Sequence, residues 1–307
     1  VVVHNNLLPG IAVFQLAYHN IYANLDQSKK KEESYMMDIA IFGSLYLDGV
    51  SVPHSPCPEY QKDQKIELGD GQPGAMLPWL CVGKKLIAAE SLLCNVSWSQ
   101  LQKAGFISGC TGTAPIRGSV VKMSGMEFMC HIPNIHKEPS EPIVGMRDAR
   151  LWESRPNEDE TDLLIARAEA GAESRPTKDG MFWTQVIGNP TMRGRDLGWI
   201  SGQTHTAKFC GYYRPNGYFS WLPVLEPINM PDPAEHVGED MTFLLPGFVL
   251  MGQPVEVSNY DLLVRVDSKE NLEKLLSRAR GQNEWWNMLG EDMVALDRNK
   301  LIHCGIR

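Results

Sequence analysis

Apolar residues recur at three- and four-residue spacings near the start of the chain, where Ile11, Phe14, Tyr18, Ile21, Tyr22 and Leu25 follow Pro9. That period predicts an amphipathic helix over 9–25. The charged run from Asp26 to Ser34 has no apolar residue to bury and reads as a solvated loop. From Tyr35 to Val52 the residues are apolar and partly β-branched, closing on Asp48-Gly49, which suits a buried helix or a strand hairpin equally. Pro53, Pro56, Pro58, Pro73 and Pro78, with Gly69, Gly71 and Gly74, predict a long irregular connection. Leu86 to Leu101 is expected to be helical, and the glycines between Gly105 and Gly125 suit short strands with tight turns.

In the second half, Asn157 to Ala170 reads as a helix. Glu158, Asp159 and Glu160 lie at its positive end, Leu163, Leu164 and Ala168 on the apolar side, Arg167 opposite, and Gly171 at the stop. Phe182 to Ile187 and Gly211 to Leu225 are aromatic and strand-like, the latter split by a Pro215-Asn216-Gly217 turn. Pro223, Pro227, Pro231 and Pro233 imply an extended arm that cannot join a central sheet and lies across a surface. Asp261 to Val266 is a short apolar run. Asp267 and Glu270 then cap a helical stripe of Leu272, Leu275, Leu276 and Ala279, and Trp285, Trp286, Met288 and Leu289 make another short apolar element. The expected fold class is α+β: a helix-rich body with a mixed or β-containing region rich in Gly, Pro and aromatics. A boundary near Glu153 to Asn157 divides 1–152, the first part of the main body, from 153–307, which carries the aromatic- and proline-rich arms.

Composition narrows the classes. With 43% hydrophobic and 21% charged residues over 307 positions, neither a disordered nor a membrane-embedded chain is favoured. The longest apolar runs, Ile11–Tyr18 and Phe243–Met251, are too short to span a bilayer as helices, so no membrane partner is expected. A net charge of -8 opposes a broad phosphate-gripping face, yet suits the wall of a container that encloses nucleic acid without immobilising it. Seven scattered cysteines with no CxxC pair point to reduced thiols in an intracellular compartment.

The candidate chemistry is sparse. Cys130, His131 and His136 are zinc-ligand types, but no second ligand pair stands at the usual spacing. Gly109-Cys110-Thr111-Gly112-Thr113 could cradle an anion or present Cys110 as a nucleophile, although the lysine of a phosphate-binding loop is absent. Arg193 and Arg195, beside Asp196, are candidate anion-binding residues on a loop. GxSxG, HExxH, dinucleotide and kinase patterns are all missing. No catalytic residue, cofactor or metal is therefore assigned. The alternative is an intracellular enzyme built on dispersed Cys110, His131, His136 and His205.

Tyr212, Tyr213, Trp221, Trp285 and Trp286 cluster near the proline-rich arms and are candidate interface residues, because aromatics are enriched in subunit contacts. A motif-poor, loop-rich, acidic chain with such arms reads as a self-assembling shell subunit. In general character it resembles the capsid proteins of small double-stranded RNA viruses of the partitivirus kind. The resemblance implies an icosahedral shell built from dimers, a mainly helical shell domain with a protruding domain, weakly held enclosed RNA, and a virion assembled in the host cytoplasm; it carries over no functional residue.

Overall fold

The computed structural model describes residues 39–106, 110–111, 114–115, 119–135, 163, 167, 181–186, 195–199, 207–210, 219–269, 272–273 and 286–307. The first strands are β1 (Ile39–Leu47), β2 (Val50–Val52), β3 (Ile66–Gly69), β4 (Met76–Val82), β5 (Lys85–Ala88) and β6 (Leu93–Val96), followed by helix α1 (Trp98–Lys103). Next come β7 (Cys110–Thr111), β8 (Ala114–Pro115), β9 (Ser119–Met123), β10 (Met126–His131), β11 (Asn134–Ile135), β12 (Met181–Val186), β13 (Arg195–Trp199) and β14 (Ala207–Cys210). The remainder are β15 (Phe219–Trp221), β16 (Val224–Ile228), β17 (Met241–Leu245), β18 (Phe248–Val257), β19 (Asp261–Val266), β20 (Trp286–Met288), β21 (Met293–Asp297) and β22 (His303–Ile306).

Local chemistry sets the first hairpins. Asp48 and Gly49 take φ of 52° and 79°, the left-handed pair that a two-residue loop needs, so Leu47 meets Val50 and β1 folds onto β2. Gly83, at φ 60°, opens the two-residue loop that pairs Val82 with Lys85. At Gly43, φ 67°, the register between β1 and β4 shifts, a bulge that bends the strand.

Around that bend the largest sheet runs β2-β1-β4-β5-β16-β10-β9, with β3 also on β1. It curls into a half-barrel until β9 packs against β3, where the Ser124 amide donates to Asp70 Oδ1 at 2.6 Å. Phe42, Trp79 and Phe128 fill its centre, and the Trp79 indole donates to the Phe42 carbonyl at 3.0 Å. The second sheet runs β14-β13-β12-β15-β6, with β11 on β12. It is continuous with the first: between β5 and β6 the Leu92 amide donates to the Trp221 carbonyl at 2.9 Å, just before β15 turns into β16. The third sheet, β20-β21-β19-β18-β17-β22, is antiparallel throughout and holds its own core of Met241, Phe243, Leu250, Leu262, Val264 and Leu296. Leu244 and Ile302 on its opposite face complete the barrel core.

The expected helix-rich α+β body is overturned, because the chain is mostly β-sheet. Leu86 to Leu101 is not a helix. It forms β5 and β6, and α1 begins only after Ser97, whose Oγ accepts from the Gln100 amide while Gln100 Oε1 accepts from the Ser97 amide. The supposed surface arm after Pro223 is likewise β16, an interior strand of the half-barrel sheet. Pro227 is tolerated because it lies beyond the last residue paired with β5, where β16 has β10 alone beside it and needs donors on one side only. The irregular connection after Pro53 contains β3, and Pro78 sits within β4. Residues 119–126 form the expected strand and tight turn, 181–186 the expected strand, and Leu163 is a buried core residue. The helix over 9–25, the turn at Pro215-Asn216-Gly217 and the boundary at Glu153 to Asn157 lie outside the described residues.

Candidate functional site

The sequence candidates do not converge. Cys110 starts β7 opposite Pro115, and Arg195 starts β13 opposite Thr184. His136, His205, Arg193, Tyr212, Tyr213 and Trp285 lie outside the described residues. Cys130 and His131 are neighbours on β10, so their side chains leave opposite faces of the sheet and cannot grip one ion together. Cys130 is enclosed among apolar side chains, and burial pushes its thiol well above the ordinary range. His131 Nδ1 lies 2.8 Å from the Ile132 carbonyl, and its Nε2 is 3.8 Å from Glu226 Oε1. Glu226 also pairs with Lys85, making a polar ladder across β10, β16 and β5. The His131 imidazole first, and then the Lys85 ammonium, hold the Glu226 carboxyl down to about 2. Among the described residues no group of three or more His, Cys, Asp or Glu is placed to hold a metal.

Trp221 is fully enclosed, its ring 4.5 Å from that of Phe106, so it belongs to the half-barrel core. Trp286 stands on β20, the terminal strand of the third sheet. Trp286, Asn287 and Met288 pair with Leu296, Ala295 and Val294 of β21, and among the described residues nothing pairs along the other side of β20. The Trp286 ring packs half-buried on the third sheet's core, with its buried Nε1 lacking a partner among the described residues. The strand and the residue after it read Trp-Asn-Met-Leu, without the lysine or proline that usually blunts a free sheet edge. Leu289, directly after β20, is 60% exposed, and Tyr260, directly before β19, is 71% exposed. On the open face of the same sheet a depression of about 340 Å³ is lined by Glu256, Ser258, Asp261, Leu263, Leu289 and Ala295. The opposite end of the sheet is closed: His303 Nε2 of β22 donates to the Glu127 carbonyl of β10 at 2.8 Å.

A different cluster gathers where the segment after β2 runs beside β6. The Cys94 amide donates to the Pro58 carbonyl at 2.8 Å and the Tyr60 amide donates to the Cys94 carbonyl at 2.8 Å, so this segment lies parallel to the strand. The Cys57 thiol donates to the neighbouring Pro58 carbonyl at 3.9 Å, and Cys57, Cys94 and the buried Ser220 of β15 lie close enough to bias one another's protonation. Both cysteines are half-buried free thiols. The nearby Cys57, helped by Ser220, lowers the Cys94 pKa to about 7, while Cys57 is pushed far above the ordinary thiol range. Glu59 lies near both sulfurs and Glu90 near Cys57 and the buried His54. Sequence spacing gave no sign of this pair: Cys57 is carried towards Cys94 only because the 58–60 segment pairs with β6.

Set against known proteins, the chain matches no family model, no curated protein and no solved structure.

Proposed function

We propose that the chain is a structural subunit that assembles with copies of itself into a closed shell, a capsid protein enclosing RNA that it holds weakly. The observation that carries this reading is the edge of β20, unpaired among the described residues: an uncharged terminal strand, anchored by Trp286 and followed by exposed Leu289, at the end of a six-stranded antiparallel sheet. Such an edge offers unpaired backbone donors and acceptors, and a second copy can satisfy them by adding a strand. The acidic balance of 29 basic against 37 acidic residues supports a wall that does not condense phosphate. With the helical body excluded, the proposal rests on this edge and this charge, and not on the architecture of double-stranded RNA virus capsids.

Native mass measurement and negative-stain imaging across concentration test it. Closed particles of megadalton mass are expected from the wild-type chain. Asn287→Lys places a charge on the exposed face of β20 and should leave the fold intact while cutting particle yield at least tenfold. A wild-type chain that stays monomeric at every concentration rejects the shell, and unchanged particle yield in the variant rejects β20 as its contact.

A further inference from the structure

We infer that His303 makes the seam between the third sheet and the half-barrel an acid-released catch: protonation of its ring frees the third sheet from β10 while each side keeps its own hydrogen-bond ladder. The ring is fully buried at the seam. Its Nε2 donates to the Glu127 carbonyl of β10 at 2.8 Å, and it packs edge-on to Phe128 with ring centroids 5.0 Å apart. Because Nε2 carries the proton of the neutral ring, Nδ1 is bare, and among the described residues it has no hydrogen-bond partner. A second proton there creates a buried cation whose new N–H meets no acceptor, a cost relieved only by letting water into the seam.

The two sides are built to part as units. The third sheet buries Met241, Phe243 and Leu250 in a core of its own, and its other face lends Leu244 and Ile302 to the barrel. Among the described residues no main-chain hydrogen bond crosses the seam; Gly305 and Gly125 touch there, backbone to backbone, without pairing. The surrounding charges give a cation little relief. β17 has no ionisable side chain, and Glu256 of β18 is exposed at the end remote from Leu244. Cys304 faces the other side of its sheet, where its thiol donates to the Pro231 carbonyl at 3.2 Å, and Arg307 pairs with Asp267 at 2.7 Å. On β10, Cys130 shares the Phe128 face, and burial keeps its thiol neutral. Glu127 and His131 leave by the opposite face, where Lys122 of β9 lies across from Glu127. There the Glu127 carboxylate accepts from Asn229 at 2.9 Å, and His131 stands beside Glu226. Burial outweighs the attraction of Glu127 and keeps the ring neutral below its ordinary 6.5. An open seam returns the ring to water and to that ordinary value, so opening takes up a proton and is favoured about tenfold for each pH unit below 6.5, until the closed ring itself titrates. The inference does not depend on assembly, since both sides of the seam belong to one chain.

Hydroxyl-radical footprinting of the full chain, read by peptide mass mapping at pH 7.5, 6.5 and 5, tests it. Met126 and Phe128 are fully buried and border Gly305 and His303, and their reactivity should rise about fivefold or more at pH 5. Met241 and Phe243 in the third sheet's core, and Trp221 on the far side of the half-barrel core, should change by less than about twofold. His303→Gln keeps an amide donor for the Glu127 carbonyl and cannot titrate, so the gain at pH 5 should disappear. Should that variant fail to fold, the wild-type map still decides. A joint rise at Met126, Met241 and Trp221 is global unfolding and overturns the inference, as does unchanged reactivity of Met126 and Phe128 down to pH 5. An equal acid gain in folded His303→Gln removes His303 as the trigger.

Discussion

Glu226 stands between His131 and Lys85 on the face of the half-barrel, and its carboxyl is held at about 2 against an ordinary 4.5. A depressed carboxylate stabilises the fold fully above pH 4.5, and that contribution is lost as pH falls from 4.5 towards 2. Glu226→Gln should therefore cost about 2 kcal/mol at pH 7, the shift being discounted for partial exposure, and nothing at pH 2. His303 acts in a higher window. Burial lowers its pKa below 6.5, so the folded state resists protonation and stability declines as pH drops below 6.5. Its neutral ring is needed where it packs edge-on to Phe128 at 5.0 Å and donates to Glu127. Urea titrations at pH 7, 5.5 and 3 should show the wild type weakening in both intervals, and Glu226→Gln losing less than the wild type in the lower one, where the depressed Asp232 carboxyl still titrates.

At the scale of elements, the seam between the third sheet and the half-barrel depends on two glycines. A methyl group at Gly305 would overlap the backbone of Gly125 and the Met126 amide, and one at Gly125, φ 79°, would meet the Ile306 carbonyl. Gly305→Ala should lower stability by about 2 kcal/mol or more, because both neighbours are backbone and neither can rotate away. Thermal unfolding that is unchanged in this variant would show that the two sheets are not wedged together there. The legible elements were those whose signal is a short turn. The glycines from Gly105 to Gly125 point to strands and turns, whereas Tyr35 to Val52 suits helix and hairpin equally until the left-handed φ values of Asp48 and Gly49 settle it as the β1–β2 hairpin. Leu86 to Leu101 misled because its apolar residues are dense on both sides. Leu86, Ile87 and Ala88 are buried in succession because β5 is covered on both faces, Leu92 and Leu93 follow buried as well, and such a run has no period to separate strand from helix. The Ser97-to-Gln100 capping box was present as a start signal and marks where the true helix begins.

For the whole molecule, charge and sheet edges set the expected behaviour. A subunit of net charge -8 should show little affinity for RNA at 150 mM salt, and its log–log salt dependence should be shallower than about -3, corresponding to few neutralised phosphates. A steep slope in filter binding would mark a concentrated basic face and contradict a wall that holds its contents loosely. The candidate sites were poorly legible for a related reason. Cys130 and His131 share one strand yet point apart, whereas Cys57 is distant in sequence from Cys94 yet is carried beside β6 by the pairing of Glu59 with Cys94, so proximity along the chain is the wrong guide to chemistry.

What the amino-acid order determined by itself is the acidity and the strands and turns among the glycines between Gly105 and Gly125, because these depend on single residues and their immediate neighbours. The tertiary structure alone decided that the apolar runs become strands, that Pro227 lies within a sheet, that β20 is the terminal strand of its sheet among the described residues and that the segment after Cys57 pairs with β6. Pairing partners in a sheet are chosen by contacts between distant segments, and no local pattern encodes which strand will lie beside which.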